Sequence, residues 1–298
     1  MGQRMRAGLA VALAAVAGRA EAQLGLFSAE QRLAITSEWK GERFEDGRPK
    51  VPDGLLERMK AVTAEEAWGV LNGAGYRQQF ESGWKEINAG PAGRRLVGRV
   101  VTAVYVPLRP DLQAAIDRAG AAEGRQGRGH NSWVIDTLRP GDVLVVDLFG
   151  KIDRGTFIGD NLGTSVFVKT GRGIVVDGSV RDLSGLLEIE GFHGFVRGFH
   201  PSALADVTLV GLNVPVRIGG VTVLPGDVVL SDPEGLTFVP PQLVERVVVS
   251  SEDVRLRDEW GHAVLREGKY TPGQVDSKWT EAMEADFQAW AAPRRPKP

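Results

Sequence analysis

Two short valine-rich runs, DVLVVDLF at 142–149 and GIVVDG at 173–178, limit this chain more than any other feature. They are nearly unbroken in apolar residues and are bracketed by Gly and Pro, as buried strands are. Between them lies GDNLGTSVFVKTG at 159–171, which reads as a helix. Asp and Asn open it and Gly171 offers a left-handed stop. Strands that alternate with helices at this spacing predict an α/β domain.

The same alternation extends both ways. RRLVGRVVTAVYVPL from Arg94 reads as a strand and DLQAAIDRAGAAEG as a helix. Beyond Asp182, DLSGLLEIEG predicts a short helix and GFVRGF a third strand. Four apolar runs between Asn213 and Pro240, split by Gly-Gly, Pro-Gly and Glu-Gly, predict a β-meander. PGDVLVVD at 140–147 and PGDVVLSD at 225–232 form a partial repeat, either a duplication or a common turn-strand sequence met twice. Residues 23–62 read as a helical N-terminal extension, broken by EDGRPKVPDG. Thr63 with Glu66 matches a capping box that opens the main domain, 63–249. Residues 250–298 read as a C-terminal extension: an irregular arm over 251–276, then a helix whose Trp279, Met283, Phe287 and Trp290 make a packing stripe.

Residues 1–22 combine a basic start, a twelve-residue apolar run and Ala-Glu-Ala before Gln23. That is the pattern of a signal peptide, with an Ala-rich first helix as the other reading. Export to the periplasm is the expectation if the leader is genuine, and a cytoplasmic location otherwise. The run is too short to span a bilayer and no later segment is longer, so no membrane association is expected of the mature form. The net charge of −2 gives no electrostatic footprint for nucleic acid. The absence of cysteine excludes thiolate metal sites and a cysteine nucleophile.

Twenty residues separate Asp160 from Arg181-Asp182. One helix and one strand fill that interval. A helix N-terminus at 160–162 would aim free amides at an anion, and the strand would return Arg181 and Asp182 to the same end. There a carboxylate can hold a hard cation, a guanidinium can neutralise an enolate, and a second carboxylate can position a water. A helix cap at Asp160 and a surface ion pair at 181–182 are the alternative reading.

The stretch GDNLGTSVFVKTGRGIVVDGSVRD, with RPGDVLVVD before it and GFVRGFHP and NVPVRIGGVTVLPGDVVLSDPEGLTFVP after it, resembles the RraA-like family. Within that family it is most similar to the class II pyruvate aldolases, which cleave 4-hydroxy-4-methyl-2-oxoglutarate and 4-carboxy-4-hydroxy-2-oxoadipate. The resemblance covers roughly residues 60–249, and their D-x20-R-D motif is matched by Asp160, Arg181 and Asp182. It implies a layered β/β/α swivelling-type domain that assembles as a homotrimer or homohexamer. It implies that Asp182 ligates Mg²⁺ (or Mn²⁺), that Arg181 contacts the pyruvyl part of a 2-oxo acid substrate, and that Asp160 holds a water for proton transfer. The amides of Asp160, Asn161 and Leu162 would bind the substrate carboxylate. The implied chemistry is retro-aldol cleavage to pyruvate, with oxaloacetate decarboxylation through the same enolate. The family also holds non-enzymatic regulators that inhibit ribonuclease E and lack the motif. A methyltransferase label is also attached to the family, but no strand here is followed by a Gly-rich loop suited to a methyl-donor nucleotide; NGAG at 72–75 and GRG at 171–173 read as helix ends.

Other polar groups carry two readings each. His193 and His200, around the strand after the motif, read as loop or hydrogen-bonded structural residues, and His130 could reach the mouth of a site. Lys151, Asp153 and Arg154 either recognise a second substrate carboxylate or are solvated loop charges. Asp232 and Glu234 are candidates for a carboxylate that a neighbouring subunit contributes, with a turn role as the alternative.

Overall fold

A computed structural model describes residues 28–89, 95–125 and 130–295; the expected leader at 1–22 lies outside them. The N-terminal part holds α1 (Ala29–Ile35), α2 (Asp53–Met59) and α3 (Ala64–Gly73), then β1 (Phe80–Glu81) and β2 (Lys85–Ile87). The central part runs β3 (Val97–Pro107), α4 (Pro110–Ala122), α5 (His130–Asp136), β4 (Asp142–Thr156), α6 (Asp160–Thr170), β5 (Ile174–Val180), α7 (Leu183–Glu188) and β6 (Gly194–Phe199). It is followed by β7 (Val207–Leu212), β8 (Val216–Ile218), β9 (Val221–Val223), β10 (Val228–Asp232) and β11 (Gly235–Val239). The chain closes with α8 (Val244–Arg266), α9 (Pro272–Val275) and α10 (Glu281–Ala291).

Strands β3, β4, β5 and β6 are parallel neighbours. This is the sheet that the valine-rich runs predict. Alternate side chains of these strands enter different cores. Leu144, Val146, Ile174 and Val176 meet Trp133, Val134, Val166 and Leu186 of the helical layer. Val143, Val145 and Val175 meet Val216, Ile218, Val221 and Val223 on the opposite face. The period-2 geometry of a strand therefore builds a β/β/α sandwich from runs that look uniformly apolar in sequence.

A third cluster joins the extensions to the sheet. Val51, Leu56, Met59 and Val62 pack with Val97, Val228, Val244 and Val247. Thr63 caps α3 in a reciprocal box with Glu66, as the spacing predicts. The loop at 39–52 also contributes a fully buried side chain. Arg48 pairs with the equally buried Asp142 and with Asp46.

Three local expectations change, and one helix is added. The four apolar runs at 213–240 do not form one meander. β8 and β9 make a separate hairpin, whereas β10 and β11 join the main sheet beside β3. Turn residues specify each hairpin, but the sheet that receives it is set by long-range pairing. The arm at 251–276 is mostly helix, because α8 continues to Arg266. Its outer face is charged, with an Asp253–Arg257 pair one turn apart, so an apolar period is hard to see. Helix α5 follows a glycine-rich stretch that hides its start. Strand β4 spans fifteen residues rather than a short run, bending where Phe149, Gly150 and Arg154 take positive φ. The stripe on α10 packs as expected: Met283 and Phe287 are buried in a cluster around Trp260 of α8.

The repeated Pro-Gly-Asp segments form the same turn twice. Gly141 and Gly226 both have φ above +79° (80° and 92°). Asp142 accepts from Arg139 N–H (2.9 Å) and Asp227 from Leu224 N–H (2.8 Å), each three residues back. The strands that follow flank β3 on its two sides, β4 parallel and β10 antiparallel.

Candidate active site

Past the carboxyl end of the parallel strands, two segments stay hydrogen-bonded. Phe157 N–H donates to the Ser179 carbonyl (2.9 Å), and Arg181 N–H to the Ile158 carbonyl (3.0 Å). This clasp sets Gly159 beside Arg181 and Asp182. The interval between Asp160 and Arg181 consists of α6, a turn at Gly171 with φ of 64°, and β5. The spacing thus measures one excursion away from the site and one return to it.

Gly159 is the N-cap of α6 and Asp160 its first residue. Asp182 is the N-cap of α7 and sits in the left-handed region at φ 53°, ψ 43°. That conformation costs on the order of 1 kcal/mol for a non-glycine residue, though Asp and Asn tolerate it best. It leaves the Asp182 carboxylate without a capping bond and directs it across the start of α6. Arg181 Nε meets Asp182 Oδ2 at 3.1 Å, with both side chains about half exposed (40% and 48%).

Two glycines make room for this arrangement. A Cβ on Gly159 would collide with Asp182 Oδ2 and come within 3.1 Å of Arg181 Nε. A Cβ on Gly185, in α7, would lie 2.7 Å from the Asp160 carboxylate. Each aspartate therefore packs against a glycine at the start of the other's helix.

The structure brings Asp160, Arg181 and Asp182 together around Gly159. Of the three amides expected to bind an anion, that of Asn161 is taken: it donates to Asp160 Oδ1 at 2.7 Å. A carboxylate at the first helical position can fold onto the next N–H, and here it does. The amides of Asp160 and Leu162 have no partner among the described residues. Beside them opens a cleft of about 230 Å³, walled by Phe157, Ile158, Gly159, Leu162, Arg181 and Leu204, with Asn131 and Thr156 as polar members. Neither carboxylate lines the cleft itself: Asp182 packs against Gly159 and Asp160 against Gly185.

A hard divalent cation suits this donor set. Asp182 Oδ1 and Asp160 Oδ2 accept from no group among the described residues. No cluster of three or more His, Asp or Glu side chains that could cage an ion occurs among them. Mg²⁺ takes one or two carboxylates and keeps several waters, so two free carboxylate oxygens fit it and a full protein cage is not needed.

Asn131 is a cleft residue that no sequence pattern marks. Its Nδ2 donates to the Phe157 carbonyl (2.8 Å) and fixes the cleft wall. It stands next to His130, which is instead buried, bonded to Asp117 (2.9 Å) and stacked on Trp133. Once the first turn of α5 is known, adjacent residues must point to different sides, but that helix is not legible. His193 is buried against Glu86 (2.5 Å) and His200 bonds Ser202 (2.9 Å). Arg154 is paired with Asp206 (2.7 Å). Asp232 caps α3 through the Ala64 amide (2.6 Å) and closes the β10–β11 turn through the Glu234 amide, so it serves as a turn residue.

The Aldolase/RraA family model matches residues 61–238. The chain belongs to the RraA-like family. Among its curated relatives is 4-hydroxy-4-methyl-2-oxoglutarate aldolase of Thermus thermophilus, 34% identical over 107 residues, or 36% of this chain and 64% of that enzyme. Protein DlpA of Legionella pneumophila is 27% identical over 207 residues, 69% of this chain and 30% of that protein. The chain spans less than two thirds of the length of the first curated relatives it matches. Among solved structures, Streptomyces coelicolor RraAS2, described as an unusual member of the RNase ES inhibitor RraA family, aligns with a TM-score of 0.59 at 29% identity, covering 72% of this chain and 99% of that one. An uncharacterized protein from Pseudomonas syringae shares the fold, with a TM-score of 0.61 at 22% identity over 80% of this chain and 98% of its own. No helix of the described residues is long and apolar enough to cross a membrane.

Proposed function

We propose that this RraA-like protein is a divalent-metal-dependent lyase that cleaves 4-hydroxy-2-oxo acids to pyruvate and decarboxylates oxaloacetate. The observation that carries the reading is the convergence of Asp160, Arg181 and Asp182 around Gly159, at an open helix N-terminus beside a cleft. Relatives named as aldolases support it.

Asp182 and a water held by Asp160 would hold Mg²⁺ or Mn²⁺. When bound, the cation supplies Lewis-acid polarisation of the substrate's 2-oxo group. The chain's own groups do the rest. The Asp160 and Leu162 amides, at the positive end of α6, receive the substrate carboxylate. The Arg181 guanidinium lies where it can neutralise negative charge that grows on the pyruvyl oxygen as the C–C bond breaks. Asp160 Oδ2, through a water, takes the proton of the 4-hydroxyl and later returns one to the methyl carbon of pyruvate. Ile158, Phe157 and Leu204 give the cleft apolar walls that exclude bulk water from the enolate. In this reading the molecule works as a homotrimer or a pair of trimers, with a neighbouring subunit closing the exposed side.

The test is pyruvate release from 4-hydroxy-4-methyl-2-oxoglutarate, 4-carboxy-4-hydroxy-2-oxoadipate and oxaloacetate, with Mg²⁺ and with a chelator. Metal-dependent release that Asp182→Asn removes supports the reading. The absence of turnover across the panel refutes it. A second reading, a ribonuclease regulator, is favoured by the near-complete coverage of RraAS2. Inhibition of ribonuclease E by the purified chain, undiminished in Asp182→Asn, would decide for it.

A further inference from the structure

The duplicated Pro-Gly-Asp turn leaves one of its two carboxylates without a counter-ion. In the first copy, Asp142 is buried and a guanidinium covers it: Arg48 Nη1 and Nη2 reach both its oxygens at 3.2 Å. In the second copy, Asp227 is just as deeply placed, at 3% exposure. Its Oδ2 accepts from Leu224 N–H, as the turn requires. Its Oδ1 has no partner among the described residues, and no cationic side chain reaches it.

In place of an arginine there is a cavity of about 270 Å³. It lies at the opposite end of the sheet from the Gly159 cleft, because β10 meets the first residues of β3 (Val228 opposite Arg99). Ile35, Leu224 and Pro240 give it apolar walls, Asp227 forms part of its interior, and Glu38 and Tyr76 stand at its mouth. Gln242 Nε2 donates to the Tyr76 hydroxyl (3.0 Å), which steadies the ring. Among the described residues no lysine, arginine or histidine lines the cavity; Arg43 reaches only the outer side of its wall, donating to Thr36 Oγ1 (2.7 Å). Two carboxylates and an aromatic face, with no resident cation, form a cation-selective lining.

We infer that this cavity is a second ligand site, which takes a small organic cation, an ammonium or guanidinium on a short apolar stem. The charged head would lie against Asp227 Oδ1, in the place that Arg48 fills on Asp142. The stem would run along Leu224 and Pro240 towards Tyr76. The volume is close to the lower end for small-molecule sites and suits a short stem rather than a nucleotide or a sugar. A buried carboxylate without a cation is costly, and the same turn elsewhere in this chain shows how that cost is met. Burial pushes the Asp227 carboxyl up to about 7 in the empty cavity, so a bound cation would draw it back to the charged form.

The test is calorimetric titration of the full chain at pH 8 with n-butylammonium and with agmatine, using 1-butanol as the neutral control. Saturable binding is expected for both cations and not for the alcohol. Asp227→Asn removes the charge at nearly constant shape and should weaken cation binding by about tenfold or more, as expected for a charged hydrogen bond. Glu38→Gln, on an exposed side chain, should weaken it severalfold without affecting folding. If Asp227→Asn fails to fold, Glu38→Gln and Tyr76→Leu decide the matter. Failure of either cation to saturate in the millimolar range, equal binding of 1-butanol, or binding unchanged in the folded variants overturns the proposal.

Discussion

A methyl group at Gly159 would strike the Asp182 carboxylate first and then crowd Arg181, its three nearest neighbours all being atoms of these two side chains. This makes Gly159→Ala a probe of the site rather than of the fold. The backbone there is extended, at φ −114° and ψ −165°, where alanine is unstrained. Alanine is the weaker N-cap by about 0.5–1 kcal/mol, but it restricts the unfolded chain by about 0.4–1 kcal/mol. The two effects nearly cancel, so stability should change by less than about 1 kcal/mol. The carboxylate, however, must retreat by about 1 Å to restore ordinary contact, and Arg181 moves with it through their 3.1 Å ion pair. A displacement of that size at a reacting centre costs about 10²-fold in rate. The assay is metal-dependent pyruvate release, paired with a thermal melt of the same preparation. A variant with unchanged melting and unchanged kcat/KM would refute the idea that the Asp182 and Arg181 positions matter. A variant that unfolds would refute the claim that the clash is confined to the site.

Four further outcomes are expected. Asp182→Asn keeps the left-handed conformation and should lose about 10²–10³-fold in kcat/KM, with a melting temperature close to that of the parent. Arg48→Met leaves Asp142 buried and unpaired and should cost about 3–5 kcal/mol in urea unfolding. Adding Asp142→Asn to Arg48→Met should recover part of that loss, and a double variant no more stable than the single one would show that the pair is not the cause. In the absence of an added cation, stability should fall as pH rises from about 4 to about 7, because burial raises the folded-state pKa of Asp227 and favours its neutral form, while the unfolded carboxyl ionises near pH 4. The loss is at most about 4 kcal/mol by the free energy of a three-unit shift, and Asp227→Asn should flatten that part of the profile. Trp260→Ala removes the centre of the α8–α10 cluster and should cost about 3–5 kcal/mol, measured by denaturant melts of the full chain.

The site was legible in sequence to the extent that its parts are local. Helix starts at Asp160, helix stops at Gly171 and a valine-rich return strand are each written in a few adjacent residues. Asn131 was not legible, because its helix begins after a glycine-rich stretch and its role depends on a carbonyl 26 residues away. The engagement of the Asn161 amide by Asp160 is not legible either, because it depends on the side-chain torsion angles of Asp160.

Apolar runs, caps and turn residues determined the α/β class, the capping box at Thr63 and the order of most elements, because these depend on short-range sterics and on the periods of helix and strand. They also determined that an acid and an Arg-Asp pair stand one helix and one strand apart. The tertiary structure alone decided that Phe157 and Arg181 lock two chain segments together beyond the sheet, and that two glycines seat the two carboxylates. It also decided which copy of a repeated turn receives an arginine and which faces a cavity. Those outcomes rest on pairings between residues far apart in the chain, and no local pattern encodes which distant partner will arrive.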